Sequence, residues 1–251
     1  MEPDPCAKKD QIETISKRWH ANELATTPTE IVRVREPGRP EKLVLVAPRK
    51  LLKRKISTNE GRAVIVHAVT HIEFNAINLA LDALYRFQDQ PKEYYSDWLL
   101  VATEEAYHCN LMIERLAQLG YNYGDFPAHN GLWEMAVSTD HSFLDRMGMV
   151  PRVFEARGLD VTPGMIERFR GVGDQETIDC LEIILRDEVG HVAIGNKWFE
   201  FACQAQGVDV IETFQHLIRK YMNGQVRGPF HTEARLAAGF SQKEMDLLEK
   251  M

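Results

Sequence analysis

The stretch RDEVGH, residues 186–191, sets Glu188 three residues before His191 inside a strongly helical segment. Residues i and i+3 of an α-helix lie on one face, about 60° and about 4.5 Å apart, so both side chains can reach one metal ion. A single Glu-x-x-His spacing is common, however, and a solvated turn is the alternative interpretation. The choice depends on whether the chain holds a matching half.

A second copy lies in ATEEAYHCN, where Glu105 precedes His108 at the same spacing. Each copy follows a lone glutamate: Glu73 in the apolar stretch HIEFNAINLAL, and Glu155 in RVFEARGLD. The intervals agree, since 32 residues separate Glu73 from Glu105 and 33 separate Glu155 from Glu188. Such a repeat is much harder to reach by chance than one short spacing.

The repeat predicts two helix pairs, each supplying one Glu from its first helix and Glu-x-x-His from its second. Four carboxylates and two imidazoles form the ligand set of di-iron and di-manganese carboxylate bundles. An ionised Glu buried in so apolar a helix would be costly without a partner, and two cations would neutralise several carboxylates at once. The predicted ligands are Glu73, Glu105, His108, Glu155, Glu188 and His191, and the predicted partners that orient the histidines are Glu104 and Asp187.

The donor types also indicate which metal is bound. Hard oxygen ligands with one imidazole per ion suit Fe or Mn rather than Cu or thiolate-bound Zn. We therefore predict two metal ions, iron in the first place and manganese as the alternative. The cysteines add no zinc site and no disulfide framework, because they are far apart and none shows CxxC spacing: Cys6, Cys109, Cys180 and Cys203.

Helical periodicity and capping signals predict an all-α protein, a bundle of four long helices with extra ones. We divide it into an N-terminal arm, 1–57, a bundle, 58–222, and a tail, 223–251, with a short helix packed on the bundle. Only KLVLV, residues 42–46, resembles a strand. Helices are expected at about 11–24, 57–87 (capped by Ser57 and Glu60), 93–119, 132–156 (kinked at Pro151), a short one from Thr162 and Pro163, 175–206, 210–222, and after SQKE at 241–244.

The composition of the chain limits which locations and binding partners we expect for the protein. No apolar run approaches the roughly 18 residues that span a bilayer, and the N-terminus lacks a signal-peptide layout, so we expect a cytoplasmic protein without a membrane partner. The basic stretch, residues 33–55, carries nine Lys or Arg against two Glu, a net +7, which leaves −14 for the rest of a chain whose total is −7. It either contacts an anionic partner such as nucleic acid or pairs with the acidic body, and the second is favoured because no aromatic residue is interleaved.

Several longer motifs occur in order along the chain: HIEFNAINLALDALYRF, EEAYH, GYNYGDFPAHNGLW, MVPRVFEARGLDVTP and DEVGHV. Together they resemble a family of uncharacterised ferritin-like proteins, known mainly as a conserved domain of unknown function. The resemblance runs from about Gly61 through FHTEARLAAGF. It implies a ferritin-like bundle with a dinuclear site at the six ligands named above, but it implies no reaction. A more distant similarity is to di-iron hydroxylases that modify tRNA.

Three functions fit these observations. The first is an O₂-dependent oxidoreductase of the hydroxylase type, acting on a small molecule or on tRNA, with a monomer or homodimer expected. The second is iron handling by ferroxidase or storage activity, which uses the same ligands and would form an iron-filled shell. The third is a metal-free helical scaffold whose basic stretch binds a partner. Phosphate-binding loops and nucleotide-binding fingerprints do not occur in the sequence, which argues against nucleotide and flavin chemistry.

Other polar residues have two interpretations each. His67 and His71 share a helix face that points away from Glu73, and packed, hydrogen-bonded histidines are favoured over a second metal pair. The loop at 120–131, which holds Tyr121, Tyr123, Asp125 and His129, is either a wall of a substrate site or a structural connector. Arg152 and Arg157, on either side of Glu155, either bind an anionic substrate or pair with acidic residues, and pairing is favoured.

Overall fold

A computed structural model describes residues 2–51 and 54–251, and regular structure in this part of the chain is helical. The chain widens into a π-helix at Val150–Glu155, here called the π segment, and forms a 3₁₀ turn at Pro48–Lys50. The predicted all-α helical bundle is thereby confirmed. The α-helices are α1 Pro5–His20, α2 Asn59–Arg86, α3 Lys92–Gln118, α4 Gly131–Ser138, α5 Phe143–Met149, α6 Ala156–Arg170, α7 Gln175–Gln206, α8 Val210–Met222, α9 Thr232–Ala237 and α10 Gln242–Leu248.

The chain divides into two compact units. The first unit comprises Met1–Val137 and Arg168–Cys180, and in it α2 packs along α3 while α1 packs on α3. The second unit comprises Ser138–Glu167 and Leu181–Met251, and in it α5 packs on α8 and on the π segment. The division into arm, bundle and tail stays a prediction.

The centre of the first unit is α2, which is apolar on nearly every face. Thr58 begins it by accepting the N–H of Gly61, one residue later than the predicted cap at Ser57. By length and hydropathy this helix would suffice to cross a membrane, but 72% of its most apolar window is buried within the protein. Burial of this kind is what the core helix of a globular domain requires, since both faces must avoid water.

Several helix boundaries differ from the expectations. α1 begins at Pro5 rather than near residue 11, because the Asp4 side chain accepts the N–H of Ala7 and caps it. The single helix expected at 132–156 is wrong: α4 ends at Ser138, and Ser142 begins α5 by accepting the N–H of Asp145. The distortion expected at Pro151 takes the form of the π segment.

The expectation of a short helix begun by Thr162 and Pro163 is also wrong, because Pro163 lies inside α6. Its missing N–H costs one hydrogen bond. Leu159, Ile166 and Phe169 are buried at helical spacing on either side of it, and their burial holds the helix together. The helices at 175–206 and 210–222 are confirmed, as is the Ser241–Glu244 capping box of α10, whereas α9 has no counterpart among the predictions.

The strand-like stretch 42–46 forms no sheet among the described residues. Within this stretch, Leu45 forms an isolated parallel β-bridge with Ala128. Within the basic stretch, Lys42 pairs with Asp125 and Arg54 with Glu60, as expected for pairing with the protein's own acidic groups. Leu52 and Lys53, which belong to that stretch, lie outside the described residues.

Candidate metal centre

The first unit gathers three of the predicted ligands from two adjacent helices. Glu73 comes from α2, and Glu105 and His108 come from one turn of α3. Their exposed fractions are 3%, 0% and 0%, so water does not solvate the charges. The Nδ1 atom of His108 lies 3.6 Å from Glu73 Oε2 and 3.8 Å from Glu105 Oε2. These three residues, called the first ligand set below, therefore face one another in an apolar interior.

Burial controls the protonation of the first ligand set. Desolvation, followed by the charge of Glu105, raises the pKa of Glu73 to about 7. Burial lowers the pKa of His108, but the contacts with Glu105 and Glu73 outweigh it and raise that pKa to about 11. The raised pKa favours a positively charged imidazole beside the two carboxylates in the metal-free chain, the charge that a cation would supply there.

The first ligand set fits a metal ion by the chemistry of its donors. Carboxylate oxygens and an imidazole nitrogen are typical ligands of iron and manganese. Oε2 of Glu73 is buried and has no hydrogen-bond partner within residues 2–51 and 54–251. A buried carboxylate oxygen in that state is destabilising unless a cation or a donor satisfies it, and a metal ion would do so.

The second unit contains the other three predicted ligands, called the second ligand set below. Glu155 ends the π segment, and Glu188 and His191 lie one turn apart on α7. All three are buried, and His191 Nδ1 lies 3.8 Å from Glu188 Oε2. The Glu-x-x-His spacing on α7 thus gives the same local geometry as on α3, as the sequence predicts.

Glu104 and Asp187 are the residues that the sequence predicts to orient the ligand histidines. Asp187 accepts two hydrogen bonds from the guanidinium of Arg186, at 2.8 and 3.1 Å. Glu104 lies half-buried on α3. Orientation of a ligand histidine by Glu104 or Asp187 stays a prediction.

The loop at 120–131 is held by the two histidines that the sequence singles out. His67 Nε2 accepts the N–H of Gly124 at 2.9 Å. The Nδ1 atom of His71 lies 2.8 Å from the Tyr123 hydroxyl oxygen, and its Nε2 atom lies 3.0 Å from the His129 carbonyl oxygen. The Nδ2 atom of Asn75 also lies 2.9 Å from Nε2, so the ring is hydrogen-bonded on both nitrogens. Burial lowers the pKa of each histidine to about 4, so both are neutral anchors.

The arginines beside Glu155 are occupied by groups of the same unit. Arg152 is buried and pairs with Glu244, and Arg157 donates to the carbonyls of Arg227 and Pro229 at 2.8 and 3.1 Å. Pairing within the protein, the favoured interpretation, is therefore confirmed for Arg152.

One buried charge near the first ligand set has no counterpart in the sequence-based predictions. Lys8 of α1 bonds to Asn78, and its Nζ lies 4.4 Å from the ring centroid of Phe74, the neighbour of Glu73. Burial lowers the pKa of Lys8 to about 8. Its position was detectable in principle, because Lys8 falls on the helix face that Ile12 and Trp19 bury.

Comparison with known proteins identifies relatives but no activity. A family model described as "Protein of unknown function (DUF455)" matches residues 1–246 of the chain. An "Uncharacterized protein" of Haemophilus influenzae is 49% identical over 214 residues, which cover 82% of this chain and 74% of that protein. No solved structure matches the chain.

Proposed function

Because this chain belongs to the DUF455 family, whose description states no activity, we propose its function from its own side chains: it is a dinuclear metal carboxylate protein that acts as an O₂-dependent oxidoreductase. The observation that carries the proposal is the burial of Glu73, Glu105 and His108, whose imidazole lies 3.6 and 3.8 Å from the two carboxylates. Structural ion pairs rarely concentrate two carboxylates and an imidazole in this way without a bound cation.

The proposal assigns both ligand sets to one centre with two ions, iron first and manganese as the alternative. Each set offers two carboxylates and one imidazole, which is too few donors for a closed six-coordinate site on its own. In di-iron bundles four carboxylates and two imidazoles together hold the pair of ions. Here Glu73, Glu105, Glu155 and Glu188, with His108 and His191, would hold them.

The roles of the side chains follow from their burial and charge. Two bound iron ions would supply the redox chemistry with O₂ that amino-acid side chains lack. Four carboxylates offset the charge of the ions, and the apolar walls of α2 exclude water. The imidazole of His108 must give up its proton before it can bind a cation, so it releases one proton when the site is loaded.

Metal content per chain tests the proposal. The protein, purified after growth in medium replete in iron and manganese, should contain about two ions per chain by mass spectrometry. Glu105→Gln, which keeps the volume of a fully buried side chain, should remove most of that metal. Glu114→Gln is the matched control, because Glu114 lies exposed on the same helix. A wild-type chain without metal, or a Glu105→Gln chain with unchanged metal, would contradict the proposal.

A loaded chain then allows the reaction to be identified. O₂ uptake in the presence of small organic molecules is the first screen. A screen with tRNA, which the basic stretch and the distant similarity to tRNA hydroxylases suggest, is the second. The size of the assembly separates this proposal from iron storage, since a monomer or homodimer supports an oxidoreductase and a large iron-filled shell supports storage.

A further inference from the structure

α7 approaches the π segment closely at Gly195. A Cβ atom placed on Gly195 would lie 2.6 Å from the Cγ of Pro151 and closer still to its Cβ. No real side chain tolerates such a distance, so only glycine lets the two elements approach this far. Gly190, on the same helix, has open space in the corresponding direction.

A second contact lies one turn beyond Glu155. A Cβ atom on Gly158, at the start of α6, would lie 3.8 Å from the Cδ and Oε1 atoms of Glu188, which is ordinary contact distance. The two contacts join Pro151 to Gly195 and Gly158 to Glu188. Gly158 comes seven residues after Pro151, and Glu188 comes seven residues before Gly195, so the two segments run antiparallel. Glu155, four residues after Pro151, and His191, four residues before Gly195, lie between these two contacts along the chain.

The π segment is also held on its other side. The guanidinium of Arg152, which follows Pro151, pairs with Glu244 of α10. Its Cζ lies 4.6 Å from the ring centroid of Phe199, one turn after Gly195 on α7, and 4.3 and 4.7 Å from those of Phe214 and Phe240. These contacts fix the segment in position. A π-helix is locally wider than an α-helix and frequently marks functional sites.

We propose that the contact between Gly195 and Pro151 is the spacing element that sets the Glu155 carboxylate against His191 at metal-binding distance. This inference rests on the function proposed above. Gly195 and Pro151 are positioning residues, because neither carries a ligand atom and both act through Glu155. The proposal explains why a π-helix ends at a predicted ligand: the widened turn lets the chain follow α7 closely at Pro151 and still direct Glu155 inward.

Three variants test the spacing element in the full-length chain. Gly195→Ala inserts the clashing methyl group, Gly190→Ala is the matched control on the same helix, and Gly195→Ala with Pro151→Gly removes the atoms that clash. Helicity is followed by circular dichroism, and deuterium uptake of residues 150–158 by mass spectrometry. Bound Fe and Mn are counted, and Co²⁺ titration gives an independent count from its absorption spectrum.

Gly195→Ala should lower the metal content from about two ions per chain to about one and raise deuterium uptake at 150–158. Gly190→Ala should match the wild type in both measurements, and the double variant should regain the second ion. If Gly195→Ala does not fold, Pro151→Gly alone, which removes the contact without a clash, should loosen the segment and lose the second ion. The added methyl group of the double variant refills the space of the proline ring and should restore both.

The two proposals fail differently in this experiment. A wild-type chain without metal would overturn the proposed function, and the metal role of the spacing element with it. A metal-loaded wild type and a folded Gly195→Ala chain with an unchanged metal count would overturn only the spacing element. Equal loss in Gly195→Ala and Gly190→Ala, without recovery in the double variant, would overturn it as well.

Discussion

The two ligand sets have the same composition but stand on different backbones. Glu73 lies in the middle of α2, an uninterrupted helix of 28 residues, whereas Glu155 ends a π segment of six residues that contains a proline. In the first set a regular helix positions the carboxylate through its own hydrogen bonds. In the second, side chains from α7, α8 and α10 fix the segment, so the same chemical group depends on tertiary contacts.

The surroundings of the two sets differ in the same sense. Near the first set, the buried polar side chains on α2 between His67 and Asn78 are uncharged apart from Glu73 itself, and Lys8 of α1 bonds to Asn78. Near the second set, a full buried ion pair, Arg152–Glu244, lies in a cluster of phenylalanines. A repeated ligand pattern in the sequence thus does not require that the surrounding structure, which holds the ligands in place, is repeated as well. The comparison also predicts that the two sets respond differently to substitution.

The largest effect on folding should come from the ion pair beside the second set. Glu244→Gln keeps the shape and the capping role of the side chain but leaves the buried Arg152 guanidinium without its counter-charge. Losing one member of a buried pair costs roughly 3–5 kcal/mol. Chemical denaturation should show a free energy of unfolding lower by about that amount, and Glu249→Gln, at the exposed end of α10, is the control. An effect below about 1 kcal/mol would mean that water reaches the pair, as in surface ion pairs.

A second prediction concerns pH and sharpens the comparison at the first set. Because the pKa of Glu73 is raised from 4.5 to about 7, the fold favours the protonated carboxyl group. The free energy of unfolding of the metal-free chain therefore falls as the pH rises from 4.5 towards 7. The raised pKa of His108 acts in the same direction, with stability present below 6.5 and lost towards 11. The metal-free chain should therefore lose stability between pH 6 and pH 8.

Metal binding should show the opposite dependence. Each proton that the metal displaces makes affinity rise about ten-fold per pH unit, or about 2.7 kcal/mol between pH 6 and pH 8. The increase in melting temperature on adding Mn²⁺ should accordingly be larger at pH 8 than at pH 6. An increase independent of pH would show that the metal does not displace the His108 proton.

The chemistry of the site was more predictable from sequence than its support. Ligand spacing on α3 and α7 follows from helical geometry alone, so Glu105 with His108 and Glu188 with His191 fall one turn apart as expected. Long helices such as 175–206 and 210–222 were also predictable, because periodicity persists over many residues. The assignment of all six ligands to one centre stays a prediction.

The π segment and the continuity of α6 through Pro163 could not be predicted from the sequence. Both depend on tertiary packing, which local sequence patterns do not specify. Local rules assign a helix start to Thr162–Pro163, and the burial of Phe169 and its neighbours overrides them. The close approach at Gly195 is likewise invisible in one sequence, since a helical glycine carries no sign of what lies beside it.

The smallest predicted effect distinguishes connector from substrate wall in the loop at 120–131. Tyr123→Phe removes the hydroxyl that lies 2.8 Å from His71 Nδ1 and leaves that buried nitrogen without this hydrogen-bond partner. A buried group left unsatisfied costs about 1–2 kcal/mol. The free energy of unfolding should fall by that amount, while the metal count stays at that of the wild type, because the ring still packs on Phe74 at a centroid distance of 5.5 Å.

The control is Tyr121→Phe in the same loop. The ring of Tyr121 packs on Phe126, and this substitution should change the stability by much less. If Tyr123→Phe instead lost metal at unchanged stability, the loop would belong to the ligand environment of Glu73, and the first set would depend on tertiary contacts as the second does.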